Sequence, residues 1–221
     1  MAGGGDGGAL ELGVVPTFAT KWLLPRLSDF MARHPGITLN LTARPRPFLL
    51  DDAPFDAAIG VSERLWPGTE GILLMREQLV PVIGPGLYAQ HRARSDARRS
   101  QEVDWQTCPL LQQSTRPYAW RHWFQSRGVQ VEADMSGPRM ELTSMLIEAA
   151  THDLGVALVP TTLVERELHS GQLRLASPHL QHSDRNYYLM WPEQKGSPRA
   201  LMQLKDWLQA QAALYEQDRP V

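Results

Sequence analysis

A chain of 221 residues with 43% hydrophobic and 21% charged side chains can form one large folded domain or two of about 100 residues each. Its net charge of −2 offers no basic surface for nucleic acid, so any DNA contact is expected from a segment outside this sequence. A single cysteine, Cys108, excludes an internal disulfide, fits a reducing compartment, and reads as a small buried hydrophobe rather than a catalytic thiol.

The start, MAGGGDGGAL, has five glycines in its first eight residues and lacks the basic and apolar regions of a signal peptide. Residues 1–9 therefore read as a linker remnant. No apolar run nears the roughly 20 residues that span a bilayer, so a soluble, cytoplasmic protein without membrane contact is expected. Leu10–Val15 is a buried strand stopped by Pro16. Phe18–His34 follows as a helix, with Trp22, Leu23, Leu27, Phe30 and Met31 near helical spacing. Pro25 must kink it or sit in the first turn of its main part. Ile37–Leu41 alternates as a strand, and the proline-rich ARPRPFLLDDAP leaves room only for a short helix around 48–52. Asp56–Val61 is a third strand. Ile72–Met75 and Leu79–Ile83 are two strands or one long bent one.

Strand, helix, strand, helix, strand implies two βαβ crossovers and a parallel sheet. HRARSDARRS, with four arginines, reads as a solvated stretch, with a phosphate patch as the lesser alternative. Beyond it lie a strand at Pro109–Gln112, a helix at Ala119–Arg127 burying Trp120, Trp123 and Phe124, and extended segments at Val129–Ala133 and Arg139–Leu142. A helix at Thr143–His152 turns Met145, Leu146 and Ala149 inward. A strand at Gly155–Val159 and a helix from Thr161 to His169, closed by Gly171, come next. Asn186–Trp191 is one more strand, and the last helix, 197–215, carries Leu201, Leu204, Trp207, Leu208 and Leu214 on one face.

Enzyme signatures are missing. There is no G-x-S-x-G elbow, no G-x-x-x-x-G-K-[ST] loop, no G-x-G-x-x-G and no H-E-x-x-H. His179 and His182 stand three apart without a third ligand, and Asp51-Asp52 reads as a polar turn, so neither metal nor cofactor is expected. Hydroxyl and basic residues instead gather where strands meet helices: Thr17 after the first strand, Arg44 and Arg46 after the second, Ser62 after the third, and Thr143 with Ser144 at a later helix start. In an open α/β sheet, ligands bind beyond the carboxyl ends of the strands, at helix N-termini. Taken singly each position reads more readily as a helix cap; together they suit a cleft for a small polar ligand.

Four segments in order, VVPTFATKWLLPRLSDFMARHPGITLNL, FDAAIGVSERLWPG, REQLVPVIGP and MLIEAATHDLGVALVP, resemble the effector-binding domain of LysR-type transcriptional regulators. The likeness runs from about residue 10 to 212 and is nearest the subgroup of the glycine-cleavage activators and β-lactamase regulators. It implies an α/β fold like the type 2 periplasmic binding proteins: lobe I from 10–84 plus 186–221, lobe II from 85–185, joined by two crossover strands. It also implies no enzymatic activity, a small-molecule effector between the lobes, side-by-side antiparallel dimers or tetramers, and DNA contact only through an N-terminal helix-turn-helix. Thr17 and Phe18, Thr143 or Ser144, and Tyr187 on the returning strand match the family's ligand-facing positions. Two departures stand out. RPRPF replaces polar residues and makes Arg44 or Arg46 an effector contact or a plug; and His152-Asp153-Leu154-Gly155 replaces A-G-x-G, so a strained left-handed turn at Asp153 or a differently placed helix end is expected. A solute-binding protein for uptake is the alternative reading.

Overall fold

The computed structural model describes residues 8–50, 53–94, 102–195 and 198–218. Asp51-Asp52, most of the arginine-rich stretch, most of the glycine-rich start and the expected first residue of the last helix lie outside them. In chain order the strands are β1 (Gly8–Val14), β2 (Ile37–Ala43), β3 (Ala57–Ser62), β4 (Thr69–Ile83), β5 (Leu110–Gln113), β6 (Arg139–Met140), β7 (Val156–Pro160), β8 (Arg174–Leu175) and β9 (Gln181–Pro192). The α-helices are α1 (Pro16–Phe18), α2 (Leu24–Arg33), α3 (Pro85–Arg94), α4 (Ala119–Ser126), α5 (Thr143–Thr151), α6 (Glu165–His169) and α7 (Arg199–Asp218). They form two compact units, Met1–Glu77 with Asp184–Val221, and Gln78–Ser183. β4 and β9 each run from one unit into the other.

In the first unit β1 pairs in parallel with β2 on one side and β3 on the other, and β9 lies antiparallel to β3 and beside β4. Parallel neighbours need a crossover, and the helix from Pro16 to Arg33 supplies it between β1 and β2. The second expected crossover helix does not form over residues 48–50. Pro45 and Pro47 push the residues before them out of the helical region, and the described part of that connection is bends and coil.

Pro25 explains the shape of the first helix. Its ring would meet the carbonyl of Lys21 in a regular helix, and the chain widens into a π-helical turn over Ala19–Leu23 just before it. Side chains serve the carbonyls around this turn: Thr20 Oγ donates to Pro16 O and Thr17 O, and Arg26 donates to Trp22 O at 2.9 Å. The Arg26 guanidinium then lies over the rings of Trp22 and Tyr215. Phe18, Trp22, Leu23, Leu27 and Phe30 are buried, but Met31 is 56% exposed, on the same flank as exposed Leu24. α7 closes this core with Leu201, Leu204, Trp207 and Leu208, while Leu214 points outward. The Trp207 ring lies tilted against Phe30, with centroids 5.2 Å apart, and its Nε1 donates to Asp29 Oδ2 at 2.8 Å.

The opposite face of the same sheet carries a smaller apolar cluster of Leu50, Phe55 and Ala58, with Phe48, Ala53 and Trp66 packed on it. A Cβ on Gly13 would lie 2.9 Å from Phe48, and one on Gly60 2.5 Å from Trp66, so the rings settle where the strands have no side chains.

In the second unit β7 pairs antiparallel with β4 and parallel with β5; β6 lies parallel to β5, and β8 antiparallel to β4. Its core is aromatic: Trp105, Trp120, Trp123 and Phe124 pack with ring centroids 5.0 to 6.0 Å apart. Trp120 Nε1 donates to Leu111 O, which leaves its ring buried with its polar edge satisfied. Several local expectations change here. Residues 129–133 form loop and turn instead of a strand, 161–169 breaks at Val164 into a 3-10 turn and α6, and Met145 is 49% exposed. α3 begins at Pro85, where a strand end is expected, and takes in residues 91–94 of the stretch read as solvated; proline suits a first helical position. Asp153 does take the left-handed conformation, at φ 58°.

Glu102 fastens three segments of this unit. Its carboxylate accepts hydrogen bonds from Ser177 Oγ at 2.6 Å, Trp105 Nε1 at 3.2 Å and Arg127 at 2.8 Å. Burial pushes its pKa up, but these three donors and the Arg127 charge outweigh burial and hold it below the ordinary value. A carboxylate lowered in the folded state contributes stability above its unfolded pKa and loses that contribution as pH falls through the folded one. The unfolding free energy from urea titrations should therefore drop between about pH 5 and pH 3. Glu102→Gln should be less stable than the native chain near neutral pH and should show a shallower drop across that window.

Candidate functional site

In the first unit the candidate residues collect at the carboxyl ends of β1, β2 and β3. The turn leaving β1 is pinned on both sides: Val15 N–H donates to Ile59 O at 3.1 Å, and Arg44 N–H donates to Val14 O at 2.8 Å. Val15, in extended conformation, is the N-cap of the first helix, and Pro16 opens it. No side chain caps this helix start, and no acidic residue stands in its first turn. Thr17 lies one position inside the helix and is 6% exposed. It is therefore not a cap, and its burial beside the first-turn N–H groups sets it apart from an exposed polar first-turn residue.

Beneath Thr17 the ring of Phe18 stacks between Trp22 and Tyr187, with centroids 5.0 and 4.7 Å away. Phe18 and Tyr187 are 0% and 2% exposed, so these two predicted residues form an aromatic floor under the helix start. Ser62 ends β3, half-buried opposite Asn186, and its hydroxyl donates to Arg64 O at 2.7 Å. That bond uses the hydroxyl proton and leaves the oxygen able to accept. The Arg44 guanidinium rests over Phe55 and Phe48, at 5.1 and 5.6 Å from the ring centroids. Its stem is thereby held across the carboxyl edge of the sheet. Arg46 is exposed in the same loop.

The second unit repeats the pattern with different residues. α5 begins at Thr143 after the extended N-cap Leu142, again with no side-chain cap and no acidic residue in its first turn. Gln113, the last residue of β5, donates from Nε2 to Thr143 Oγ1 at 3.2 Å and to Glu141 O at 3.4 Å. Ser114 follows, its N–H and Oγ both donating to Met140 O. Gln112 is 1% exposed and donates to Ser136 O at 2.9 Å and Asp134 O at 3.2 Å, which fixes the loop entering β6. Thr143 and Ser144 are half-buried.

Gln113 and Ser114 belong with this group and are absent from the sequence expectations. The signal that finds them is the one used elsewhere: polar residues directly after a short apolar parallel strand, here PLL before QQST. Thr17, Phe18, Arg44, Arg46, Ser62 and Tyr187 share the first unit, and Thr143 and Ser144 lie in the second.

Other chemistry finds little support among the described residues. No group of three or more His, Cys, Asp or Glu side chains is placed to hold a metal ion, and no helix is long and apolar enough to cross a membrane. Ser126 and His179 lie 2.9 Å apart, and burial together with the Arg127 charge pushes the His179 pKa down. Cys108 is buried in the tryptophan core, and burial, aided by Asp104, pushes its thiol up to about 12. A thiol in that state carries almost no thiolate near neutral pH. Iodoacetamide at pH 8 should leave the native chain unmodified and label Cys108 only after unfolding in urea, as read by intact mass.

The chain is similar to known proteins. Residues 3–213 match the family model of the LysR substrate binding domain. The chain is 31% identical over 211 residues to the transcriptional activator AmpR of Pseudomonas aeruginosa, covering 95% of this chain and 68% of that protein. It is 30% identical over 220 residues to the glycine cleavage system transcriptional activator of Escherichia coli K12, covering 93% and 66%. The chain thus spans about two thirds of the length of these relatives. The crystal structure of the effector domain of Pseudomonas aeruginosa AmpR superposes with a TM-score of 0.83 at 30% identity, over 95% of this chain and 98% of that one. The fold is accordingly that of the type 2 periplasmic-binding-protein-like domains.

Proposed function

The chain belongs to the LysR substrate-binding domain family, and on that premise we propose that it senses a small carboxylate-bearing effector for a DNA-binding transcriptional regulator. One observation carries the ligand class. Two helices that start beyond the carboxyl ends of parallel strands, at Pro16 and at Thr143, have apolar N-caps, no capping side chain and no acid in the first turn. Here the first-turn N–H groups and the positive end of the helix dipole suit an anion from solution.

In this reading Thr17 and Thr143 supply hydroxyls beside those N–H groups, with Ser144 and Ser62 as further polar contacts. Gln113 orients Thr143, and Arg44 or Arg46 adds a positive charge near the first helix start. Phe18 and Tyr187 act from below as the rigid support of Thr17. The effector shifts a conformational equilibrium by binding one state more tightly than another. DNA contact falls to an N-terminal helix-turn-helix, and the regulator works as a homodimer or tetramer in the cytoplasm, without catalysing a reaction.

A thermal-shift screen of amino acids, small organic acids and cell-wall fragments tests the ligand class. At 100 times its Kd an effector adds about 2.7 kcal/mol and raises the melting temperature visibly. A carboxylate should do so, and the matching amide should not; a screen in which amides act as well as acids would overturn the assignment. Thr17→Val and Thr143→Val should each weaken binding about tenfold while leaving the unliganded melting temperature within a few degrees. Sedimentation should show a dimer or larger; a monomer at all concentrations would favour a solute-binding protein.

A further inference from the structure

Asp153 is the one non-glycine residue with positive φ among the described residues. It stands just past the end of α5, where its N–H donates to Ala150 O and the N–H of Leu154 to Ala149 O, closing the helix. Glycine would reach this conformation without the crowding that a Cβ brings. What aspartate gains is a second helix: its Oδ1 accepts the N–H of Leu87 at 2.8 Å. Leu87 is the third residue of α3, so the carboxylate performs the task of an N-cap from 66 positions away in the chain.

The residues around it are shaped to admit it. Gly84 stands before α3 and Gly86 is its second residue, and neither has positive φ. Both are therefore glycine for room. A Cβ on Gly84 would lie 2.2 Å from Asp153 Oδ1, and one on Gly86 2.2 Å from Oδ2. The left-handed turn, the borrowed cap and the two glycines make a single clasp.

We propose that Asp153 is a positioning residue that fastens the rear of α5 to the junction between β4 and α3. α5 has nine residues, a rod of about 13 Å at 1.5 Å per residue. Gln113 holds its front at Thr143, and Asp153 holds its rear. The orientation of Thr143 and Ser144 therefore depends on a residue at the far end of the helix. In this reading the clasp ties the helix that carries Thr143 and Ser144 to the end of β4. The value of the clasp to signalling rests on the effector reading above; the clasp itself does not.

A double-mutant cycle on the 221-residue chain tests it without any ligand. Gly86 is the better probe, because the three atoms nearest to where its Cβ would stand all belong to Asp153. Gly86→Ala should lower the melting temperature clearly in the native background and change it little in an Asp153→Gly background. By hydrogen exchange, Asp153→Gly should speed the Leu87 amide about tenfold and also speed α5 amides, leaving β5 and β7 unchanged. Asp153→Asn, which keeps the acceptor oxygen and tolerates the left-handed turn, should restore Leu87 to within about twofold. Equal cost of Gly86→Ala in both backgrounds, or a Leu87 amide indifferent to Asp153→Gly, would overturn the proposal. Failure of the carboxylate screen would leave these results standing, and failure of the cycle would leave the screen standing.

Discussion

Parallel pairing is the constraint from which the rest of this structure follows. β1 lies between two parallel partners, β2 and β3, and β5 between β6 and β7. A parallel neighbour cannot be reached by a tight turn, so the chain must leave the carboxyl end of a strand and cross back. At β1 it leaves straight into a helix, and α5 begins where β6 ends. Each unit therefore presents a helix start at the same edge of its sheet. The N–H groups that project there are a geometric consequence of topology, and the side chains nearby decide only whether those groups are capped internally or left for a ligand.

Keeping these starts in place takes compensation elsewhere. The first helix accommodates Pro25 by widening a full turn, and Thr20 and Arg26 supply donors to the backbone oxygens of that stretch. The wider turn sits directly behind Thr17 and Phe18, so backbone irregularity and candidate site are neighbours, as is common for π-helical turns. In the second unit the compensation is at the opposite end of the helix, where Asp153 accepts an unfavourable φ and receives a backbone donor in return. Both helices are set by how their irregular ends are satisfied.

Much of the architecture is legible in the sequence because periodicity and punctuation survive in isolated segments. VVPT announces a strand passing to a helix, and GVALVP a buried strand stopped by proline. The illegible elements share a cause. α3 is polar on most of its surface and starts with Pro-Gly, so neither hydrophobic period nor composition marks it. The first half of β9, QHSDR, carries no apolar alternation, and its strand conformation comes from its neighbours in the sheet. Met31, Met145 and Leu214 keep the helical spacing of core residues, yet each lies on an exposed flank of its helix.

The candidate site divides in the same way. The sequence by itself determined which residue types stand at the strand-to-helix junctions: hydroxyls at Thr17, Ser62, Thr143 and Ser144, guanidinium groups at Arg44 and Arg46. The family likeness, with Asp153 where relatives carry glycine, left a strained left-handed turn or a shifted helix end as the choices. Only the tertiary structure decided what those residues do. It moved the caps to Val15 and Leu142, sank Phe18 and Tyr187 into a stacked floor, brought Gln113 to Thr143, and set Asp153 against Leu87 between two glycines. The reason is physical. A hydroxyl, an amide or a carboxylate has several partners within chemical reach, and which one it meets depends on segments 30 to 170 residues away that no local pattern records.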